Sequence, residues 1–298
     1  MTHVLTLIAA RADGLDETVI DRVCDALPHA CQANWLSPGE ACDIHFDTND
    51  ETFNAHVRNT VHAAVGDALI DIVFQPIENR RKRLLIADMD STLIGQECID
   101  ELADFAGLKP KIAAITERAM RGEIEFEPAL RERVALLKGL DESVLDIVFD
   151  EHITLNPGAR ALARTMSSDG AATVIVSGGF TFFTARVAEA AGFETDQANI
   201  LEISAGKLTG RVTEPILGQQ AKLDALRHFR ETLGLSVAQT LAVGDGANDL
   251  AMLREAGLGV AYHAKPVVAE KAHARIEHGN LTALLFAQGY NREEFVED

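Results

Sequence analysis

Residues 84–92 have the sequence LLIADMDST, in which an apolar run leads directly into two aspartates. A short continuous apolar run is expected of a strand that is buried on both faces of a parallel sheet. Side chains two positions apart in an extended chain point the same way, so Asp88 and Asp90 can converge on one site where that strand ends. Because aspartate is also common in plain turns, this stretch by itself favours a site and an ordinary turn about equally.

Strands and helices alternate from about residue 152 onwards, which predicts an α/β fold with a doubly wound, Rossmann-like parallel sheet. The expected elements are buried strands at 172–176 and 240–243, helices at 180–191 and 219–233, and a hairpin at 198–212. Asn156-Pro157 is expected to start a further helix, as its cap and first-turn proline.

The first 76 residues are expected to form a separate unit. Their pattern predicts the order βαββαβ, with Asp16 capping the first helix, and this order is typical of a ferredoxin-like α+β domain. Residues 95–151 show helical periodicity throughout. They directly follow the first core strand, where a lid would sit, so we expect a helical cap there.

Residues 75–83 separate the first unit from the core and are polar and basic, ending in Arg80-Arg81-Lys82-Arg83. Such a run can form a contact patch, but a solvated linker is the favoured interpretation. The expected division is a βαββαβ domain at 1–76, a core at 77–94 and 152–298, and a cap at 95–151.

The composition excludes several classes of function. The chain has 298 residues, 47% of them apolar and 5% aromatic, and its formal net charge is -19. A protein this acidic repels phosphate backbones, so we do not expect it to bind nucleic acid. The apolar run at residues 4–10 is too short for a membrane span and lacks the basic flank of a signal peptide. The four cysteines show no CxxC spacing, so we expect reduced thiols, a cytoplasmic location and no membrane partner.

Two further strand ends carry glycine-rich turns, and in open α/β sheets ligands bind beyond the carboxyl ends of the strands. Ser177-Gly178-Gly179 places a hydroxyl and backbone N–H groups before a helix, a geometry that suits an anion. Gly244-Asp245-Gly246-Ala247-Asn248-Asp249 gathers two carboxylates and an amide on a turn. Both stretches are also compatible with ordinary turns, and Lys222, on the helix from 219, with a solvated surface charge.

Four carboxylates at one end of a sheet repel one another, and a divalent cation would relieve that repulsion. Mg2+ prefers oxygen ligands and leaves coordination positions for water and a substrate phosphate. The histidines show no HxH or HExxH spacing, so zinc is not expected. The residues alone therefore suggest magnesium-assisted phosphoryl chemistry, with an aspartate able to act as nucleophile.

Taken in this order, the turns at 88–92, 177–179 and 244–249, together with Lys222, resemble the motifs of the haloacid dehalogenase superfamily of phosphohydrolases. The resemblance extends over residues 84–261. It implies a doubly wound core with a cap insertion, an Mg2+ cofactor and a small phosphorylated substrate.

The insertion narrows the resemblance further. Residues 120–126 (MRGEIEF) and 130–134 (LRERV) resemble the cap of those superfamily members that hydrolyse O-phosphoserine. Glu97, soon after the first motif, fits the same members. This resemblance implies hydrolysis of O-phosphoserine to serine and phosphate, the last step of serine biosynthesis.

The resemblance assigns a role to each motif residue. Asp88 would attack phosphorus and form an aspartyl-phosphate, and Asp90 would protonate the leaving oxygen and then activate water. Mg2+ would be held by Asp88, by Asp245 and by the backbone carbonyl of Asp90. Ser177, the Gly178 amide and Lys222 would bind the phosphate, and Asn248 would contact the substrate or the phosphate. Glu97 would face the substrate ammonium and Arg133 its carboxylate, while Met120 and Phe126 would line the lid. Asp249 would support the site from behind the direct ligands.

Glu97 and Arg133 suit a zwitterion, since a planar guanidinium can bind a carboxylate through two hydrogen bonds. Without the resemblance, both would be interpreted as surface helix charges. Two rival functions stay open: a phosphatase or phosphotransferase for another small phosphate, such as phosphothreonine or a sugar phosphate, and an amino-acid-binding regulatory protein with an inactive core. A sugar phosphate has no ammonium or carboxylate for Glu97 and Arg133 to bind, so this pair argues against it. The complete set of catalytic groups argues against an inactive core.

The N-terminal unit resembles an ACT-like regulatory module, mainly in the order of its elements. It could bind an amino acid, mediate homodimerisation through its sheet or helices, or do neither, and the sequence leaves these alternatives open. The partner expected of the core is a small-molecule substrate, phosphoserine.

Overall fold

The N-terminal unit is an antiparallel sheet with two helices in the computed structural model, which describes residues 1–29, 33–48, 55–120 and 123–297. Its described elements are β1 (His3–Ala9), α1 (Glu17–Ala26), β2 (Ala33–Ser37), β3 (Ala41–Phe46), α2 (Ala55–Val65) and β4 (Ile70–Pro76). The strand order is β2-β3-β1-β4, and neighbouring strands are antiparallel, so the predicted βαββαβ order is confirmed. Asp16 caps α1 as expected, accepting a hydrogen bond from the Val19 amide at 2.9 Å.

The rest of the chain forms the core and the cap. The described helices and strands are, in chain order, β5 (Leu84–Ala87), α3 (Cys98–Phe105), α4 (Lys109–Met120), α5 (Phe126–Leu136), α6 (Ser143–His152), α7 (Ala159–Ser168), β6 (Ala172–Phe180), α8 (Thr181–Ala191), β7 (Thr195–Asn199), β8 (Leu201–Ser204), β9 (Lys207–Val212), α9 (Gln219–Thr232), β10 (Thr240–Gly244), α10 (Leu250–Glu255), β11 (Leu258–Tyr262), α11 (Pro266–Ala269), β12 (Ala274–Ile276) and α12 (Ala283–Ala287). As expected, α3–α6 are inserted between β5 and β6, and β8 pairs with β9 as a hairpin. Among the described residues, no helix combines the length and apolar character needed to cross a bilayer.

A parallel sheet with the order β12-β11-β10-β5-β6-β7 forms the centre of the core. β5 lies inside this sheet, and each of its four residues is 0% exposed. Burial on both faces explains why residues 84–87 are apolar without alternation. The predicted doubly wound α/β fold with a helical insertion is confirmed.

The cap joins the core through two chain crossings that pair with each other. Ile94 and Leu155 form an antiparallel bridge. Beside it, the side-chain amide of Gln96 donates to the Thr154 hydroxyl at 3.0 Å, and the Thr154 backbone amide donates back to Gln96 at 3.2 Å. The cap therefore enters and leaves through one narrow connection close to the end of β5.

The prediction that Asn156-Pro157 caps a helix is wrong. α7 begins after Gly158, which has a φ of +83°. A Cβ atom at Gly158 would lie 2.6 Å from the Thr282 amide nitrogen, so both backbone conformation and close packing require glycine there. The Asn156 side chain instead donates to the carbonyl of Thr92 at 2.8 Å, and so it supports the turn after β5.

The prediction of a solvated basic linker is also wrong for Arg80 and Lys82, whereas Arg81 and Arg83 are exposed as expected. The Arg80 side chain is 11% exposed and donates to both carboxylate oxygens of Asp43 at 2.6 Å. It also donates to the Ala287 carbonyl at 2.8 Å. Lys82 is 5% exposed. Arg80 therefore ties the N-terminal unit to the core, while the Lys82 ammonium donates to the carbonyls of Asn79 in the linker and Ala238 in the core.

Candidate active site

The three turns singled out in the sequence meet at one edge of the central sheet. β10, β5 and β6 are neighbours and run parallel. The turns after β5 and β10 therefore lie beside residues 177–179, the irregular last part of β6. The Asp88 amide donates to the Val243 carbonyl at 3.0 Å, which continues the pairing of β5 with β10 up to the site. The topology thus brings together residues that are far apart in the sequence.

Asp88, Asp245 and Asp249 form a compact group of carboxylates. One oxygen from each lies within 4.8 Å of the others, and Asp88 and Asp249 are buried while Asp245 is half-buried. Lys222 reaches the group from α9, with its ammonium 2.6 Å from Asp88 and 2.7 Å from Asp249. One ammonium faces three carboxylates, so this group has excess negative charge.

Glycines allow the close approach of Asp249. A Cβ atom at Gly244 would clash with the Asp249 side chain, so glycine lets this side chain fold back over the end of β10. The second oxygen of Asp249 accepts a hydrogen bond from the Gly246 amide at 3.0 Å. Asn248 lies half-buried on the same turn, with its side-chain oxygen over Gly246.

The pKa values of this group reflect its excess charge. Burial raises the pKa of Asp245 to about 6 and that of Asp249 to about 7, and the charge of Asp88 adds to both rises while Lys222 opposes them. Burial alone would lower the pKa of Lys222, but Asp249 and Asp88 outweigh it, so the pKa is raised and the lysine stays charged. Such under-neutralised oxygen donors fit a hard divalent cation.

Asp90 lies beside this group, against the first turn of α3. One of its oxygens accepts a hydrogen bond from the Cys98 amide at 3.1 Å, and the other would lie 2.9 Å from a Cβ atom at Gly179. Burial raises the pKa of Asp90 to about 8, and the charges of Glu97 and Asp88 add to the rise. A free aspartate has a pKa of about 3.9, so the shift favours the protonated form of Asp90.

The turn at 177–179 presents hydrogen-bond donors beside Asp90. The Gly179 amide donates to the hydroxyl oxygen of Ser177 at 2.9 Å. Because that oxygen accepts this bond, the hydroxyl hydrogen stays available to donate to an anion. The pairing of β6 with β7 is interrupted between Val176 and Phe180, so the turn leaves the regular ladder at this point.

The cap covers the site with Glu97, the residue before α3, and with residues of α5. Phe126 packs over two glycines, since a Cβ atom at Gly178 or at Gly218 would lie 3.0 Å from its ring. Glu97 accepts a hydrogen bond from the Ser91 hydroxyl at 2.7 Å. Glu97 as a whole is exposed to solvent. The surrounding protein still removes water from around its carboxyl group, and this desolvation raises the pKa of Glu97.

Arg133 lies half-buried on α5. Its hydrogen bonds are long, at 3.4 and 3.5 Å to one carbonyl and one hydroxyl. Burial lowers its pKa, and this shift is opposed by the nearby charges of Asp100, Glu97 and Asp90. Within the described parts of the chain, no carboxylate lies within ion-pair distance of its guanidinium, so the group stays available to a ligand.

The predicted site residues gather at one end of the sheet and on the cap above it. The sheet end holds Asp88, Asp90, Ser177, Gly178, Lys222, Asp245, Asn248 and Asp249, and the cap holds Glu97 and Arg133. The possible ligand group found here contains the side chain of Asp249, whereas Asp90 was expected to contribute through its backbone carbonyl. The Met120 side chain and residues 121–122 lie outside the described residues.

Three side chains that shape the site were not predicted. The Thr92 hydroxyl donates to Asp245 at 3.4 Å, Asn156 holds the Thr92 carbonyl, and Asn199 holds the Gly178 carbonyl at 2.9 Å. Thr92 belongs to the motif at residues 88–92, so its position in the sequence could have marked it as a site residue. The two asparagines act on backbone carbonyls of distant residues, and no local pattern marks them.

Residues 85–254 match the family model of the haloacid dehalogenase-like hydrolases. A Streptomyces coelicolor protein named phosphoserine phosphatase is 48% identical over 225 residues, which cover 76% of this chain and 55% of that protein. A Polaromonas protein of the same name is 48% identical over 208 residues, which cover 68% of this chain and 88% of the relative. The chain thus spans about half of the first relative and most of the second.

A solved structure matches both units. The unliganded crystal structure of a probable phosphoserine phosphatase from Vibrio cholerae has a TM-score of 0.77 at 32% identity. The match covers 98% of this chain and 88% of that one. The similarity therefore extends beyond the core and cap to the N-terminal sheet.

Proposed function

The chain belongs to the haloacid dehalogenase-like hydrolases, and on that basis we propose that it hydrolyses O-phosphoserine to serine and phosphate, the last step of serine biosynthesis. Relatives that are 48% identical to it bear the name of this activity. The observation that carries the proposal is the setting of Asp88, a buried carboxylate at the end of β5 that contacts Lys222 and neighbours two further carboxylates.

The substrate phosphate would be held opposite Asp88. A phosphomonoester carries roughly -1.5 to -2 charges at pH 7, so a carboxylate can attack it only where positive charge and hydrogen-bond donors offset the repulsion. Lys222, the Ser177 hydroxyl and the Gly178 amide would bind the phosphate oxygens. Asn248, on the turn after β10, would contact the substrate or its phosphate.

Mg2+ would be held by the side chains of Asp88 and Asp245 and by the backbone carbonyl of Asp90. When bound, the ion supplies positive charge that offsets the repulsion between nucleophile and phosphate. The under-neutralised carboxylates support this assignment, because Mg2+ takes oxygen ligands. Asp249 would stay paired with Lys222 and hold the lysine in place.

In the first half-reaction, a carboxylate oxygen of Asp88 bonds to phosphorus while the bond between phosphorus and the serine oxygen breaks. Asp90 gives its proton to the leaving oxygen, so serine departs with a neutral hydroxyl and Asp88 carries the phosphoryl group. The pKa of Asp90, raised to about 8, supports this role, since a general acid must hold its proton at the working pH.

In the second half-reaction, water attacks the phosphorus of the aspartyl-phosphate. Its proton passes to the Asp90 carboxylate, the bond between phosphorus and Asp88 breaks, and phosphate leaves. Asp88 is then a free carboxylate again, and Asp90 again carries a proton. The packing of Phe126 over Gly178 and Gly218 supports a closed cap that limits the access of bulk water during these steps.

The cap residues would select the serine part of the substrate. Glu97 would face the ammonium group and Arg133 the carboxylate. The long hydrogen bonds of Arg133 support this role, because a guanidinium without a strong internal partner can bind a ligand carboxylate through two hydrogen bonds.

A substrate panel tests the proposal. Phosphate release is measured from O-phospho-L-serine, O-phospho-L-threonine, glucose 6-phosphate and p-nitrophenyl phosphate, with Mg2+ and with excess chelator. We expect the highest kcat/KM for phosphoserine and no release in chelator. A higher kcat/KM for glucose 6-phosphate would contradict the proposal that phosphoserine is the substrate. The absence of phosphate release from all four compounds would contradict phosphatase activity.

The role of the N-terminal unit stays a prediction, as does a cytoplasmic location. The βαββαβ order is compatible with an ACT-like module that binds an amino acid or joins two copies of the chain. Light scattering of the purified chain tests the second alternative. A dimeric mass would support it, and a monomeric mass at working concentration would count against it.

A further inference from the structure

Asn199 is a buried polar residue to which the reaction described above gives no role. It is the last residue of β7 and is 1% exposed. Its side-chain amide donates to the Gly178 carbonyl at 2.9 Å and to the Leu217 carbonyl at 3.0 Å, and its side-chain oxygen accepts from the Leu217 amide at 2.7 Å. Because all three bonds go to backbone, Asn199 fixes two chain segments relative to each other.

The first segment is the phosphate turn, residues 177–179, and the second is the strap, residues 213–218. The phosphate turn leaves the ladder between β6 and β7, and regular pairing resumes only where Phe180 meets Asn199. The Asn199 side chain thus replaces a missing backbone partner of the turn. The strap leads into α9 through Gly218, and α9 carries Lys222.

A single peptide group connects Asn199 to Ser177. The Gly178 carbonyl, which Asn199 holds, and the Gly179 amide belong to the same planar unit. The Gly179 amide donates to the Ser177 hydroxyl oxygen at 2.9 Å. Fixing the carbonyl therefore also fixes the N–H on the other side, and with it the direction in which Ser177 can donate.

Phe126 of the cap rests on the same two segments. A Cβ atom at Gly178, in the phosphate turn, or at Gly218, in the strap, would lie 3.0 Å from its ring. The surface that receives the closed cap is therefore made of the two segments that Asn199 joins. A change in their spacing would disturb the phosphate donors and the cap contact together.

We infer that Asn199 is a positioning residue, which sets the phosphate turn and the strap at the spacing that lets Ser177, Gly178 and Lys222 bind one phosphate under Phe126. The inference rests on the proposed phosphatase function. If Asn199 were purely structural, its loss would lower the stability of the fold and leave the phosphate affinity of the folded protein unchanged.

Two substitutions and a matched control test the inference. Asn199→Ala removes all three bonds, and Asn199→Asp keeps the shape but sets a carboxylate oxygen against two carbonyls. The control is Thr184→Val. Thr184 of α8 is 0% exposed and its hydroxyl donates to Asp196 of β7. The control therefore removes a partly buried hydrogen bond to the same strand without touching either segment.

The main readout is the dissociation constant of inorganic phosphate, measured by calorimetry in Mg2+, with circular dichroism and the unfolding midpoint as measures of folding. We expect this constant to rise about tenfold or more in both Asn199 variants and to stay within about twofold of wild type in the control. Should Asn199→Ala not fold, Asn199→Ser keeps one hydrogen-bonding group and gives the same comparison.

Unchanged phosphate affinity in folded Asn199 variants, with midpoints lowered as in the control, would overturn the inference. Failure of the proposed function is a different result. The wild type would then bind phosphate but release none from phosphoserine, and the comparison of Asn199 variants by calorimetry would still decide the role of this residue.

Discussion

The ammonium of Lys222 lies 2.6 Å from Oδ2 of Asp88, and the two side chains are 2% and 6% exposed. A pair withdrawn this far from water depends on both members, because either charge alone would be desolvated without compensation. Lys222 also contacts Asp249 at 2.7 Å. The same cation therefore neutralises part of the carboxylate group and lies where it can bind the substrate phosphate.

Lys222→Met is expected to lower the free energy of unfolding by about 3 kcal/mol or more in chelator, because it leaves buried carboxylates without their cation. Urea unfolding at neutral pH measures the change. Lys271→Met, at an exposed position, is the matched control and should stay within about 0.5 kcal/mol of wild type. Equal effects of the two substitutions would contradict the structural role of Lys222.

Mg2+ is expected to stabilise the fold, since it would bind the folded carboxylate group and not the unfolded chain. When the Mg2+ concentration is a hundred times its dissociation constant, the free energy of unfolding should rise by about 2.7 kcal/mol. Thermal unfolding with Mg2+ and with chelator measures it. Asp245→Asn should abolish the gain, while the exposed Asp224→Asn should keep it. A full gain in Asp245→Asn would show that the cation binds elsewhere.

Arg133→Ala is expected to reduce kcat/KM for phosphoserine about a hundredfold, because it removes charged hydrogen bonds to the substrate carboxylate. The value for p-nitrophenyl phosphate, which has no such carboxylate, should change little. The control is Arg131→Ala on the same helix, an exposed residue that pairs with Glu127 and Glu214. Equal losses on both substrates would refute the recognition role of Arg133.

The burial of Lys82 makes stability depend on pH. Lys82 is 5% exposed and donates to the Asn79 and Ala238 carbonyls, each at 2.8 Å. Burial lowers its pKa from 10.5 to about 8, and the charge of Arg80 adds to the shift. Between these values the unfolded chain keeps a proton that the folded protein has released, so this group makes stability rise with pH.

Lys82→Met removes that dependence. We expect the stability of wild type relative to the variant to increase by about 2 kcal/mol from pH 8 to pH 10. It should change little below about pH 7, where the lysine is charged in both states. Urea unfolding at each pH measures the difference. A difference that stays constant, or falls, across the alkaline range would contradict the buried, pKa-lowered lysine.

Local signals were enough to predict the doubly wound α/β class and three strands of the central sheet, β5, β6 and β10. Neighbours in the sequence decide the apolar run at 84–87, the Asp16 cap and the end of the helix predicted at 180–191. That helix is α8, and it ends at Gly192, which has a φ of +87°. β7 and β12 were not predicted, because both are edge strands and neither contains a continuous apolar run. β11, with the sequence LGVAY, is buried and apolar, and the criterion used for 84–87 would also have found it.

Hydrogen bonds between residues far apart in the sequence could not be predicted from the sequence. Arg80 was taken for a solvated linker charge, but its partner carbonyl at Ala287 is 207 residues away. Asn156 resembled a helix cap, yet its side chain binds Thr92, 64 residues before it. Such bonds from side chain to backbone depend on how distant turns meet in space, and no periodicity or spacing in the sequence records them.

The central claim is that Asp88 carries the phosphoryl group during turnover. It is tested most directly by acid-quenching the protein with phosphoserine and Mg2+, reducing the acyl phosphate with borohydride and mapping the modified residue by mass spectrometry. We predict conversion of residue 88, and of no other aspartate, to homoserine, with no conversion in Asp88→Asn. Modification at another residue, or turnover by Asp88→Asn without any modification, would contradict this account.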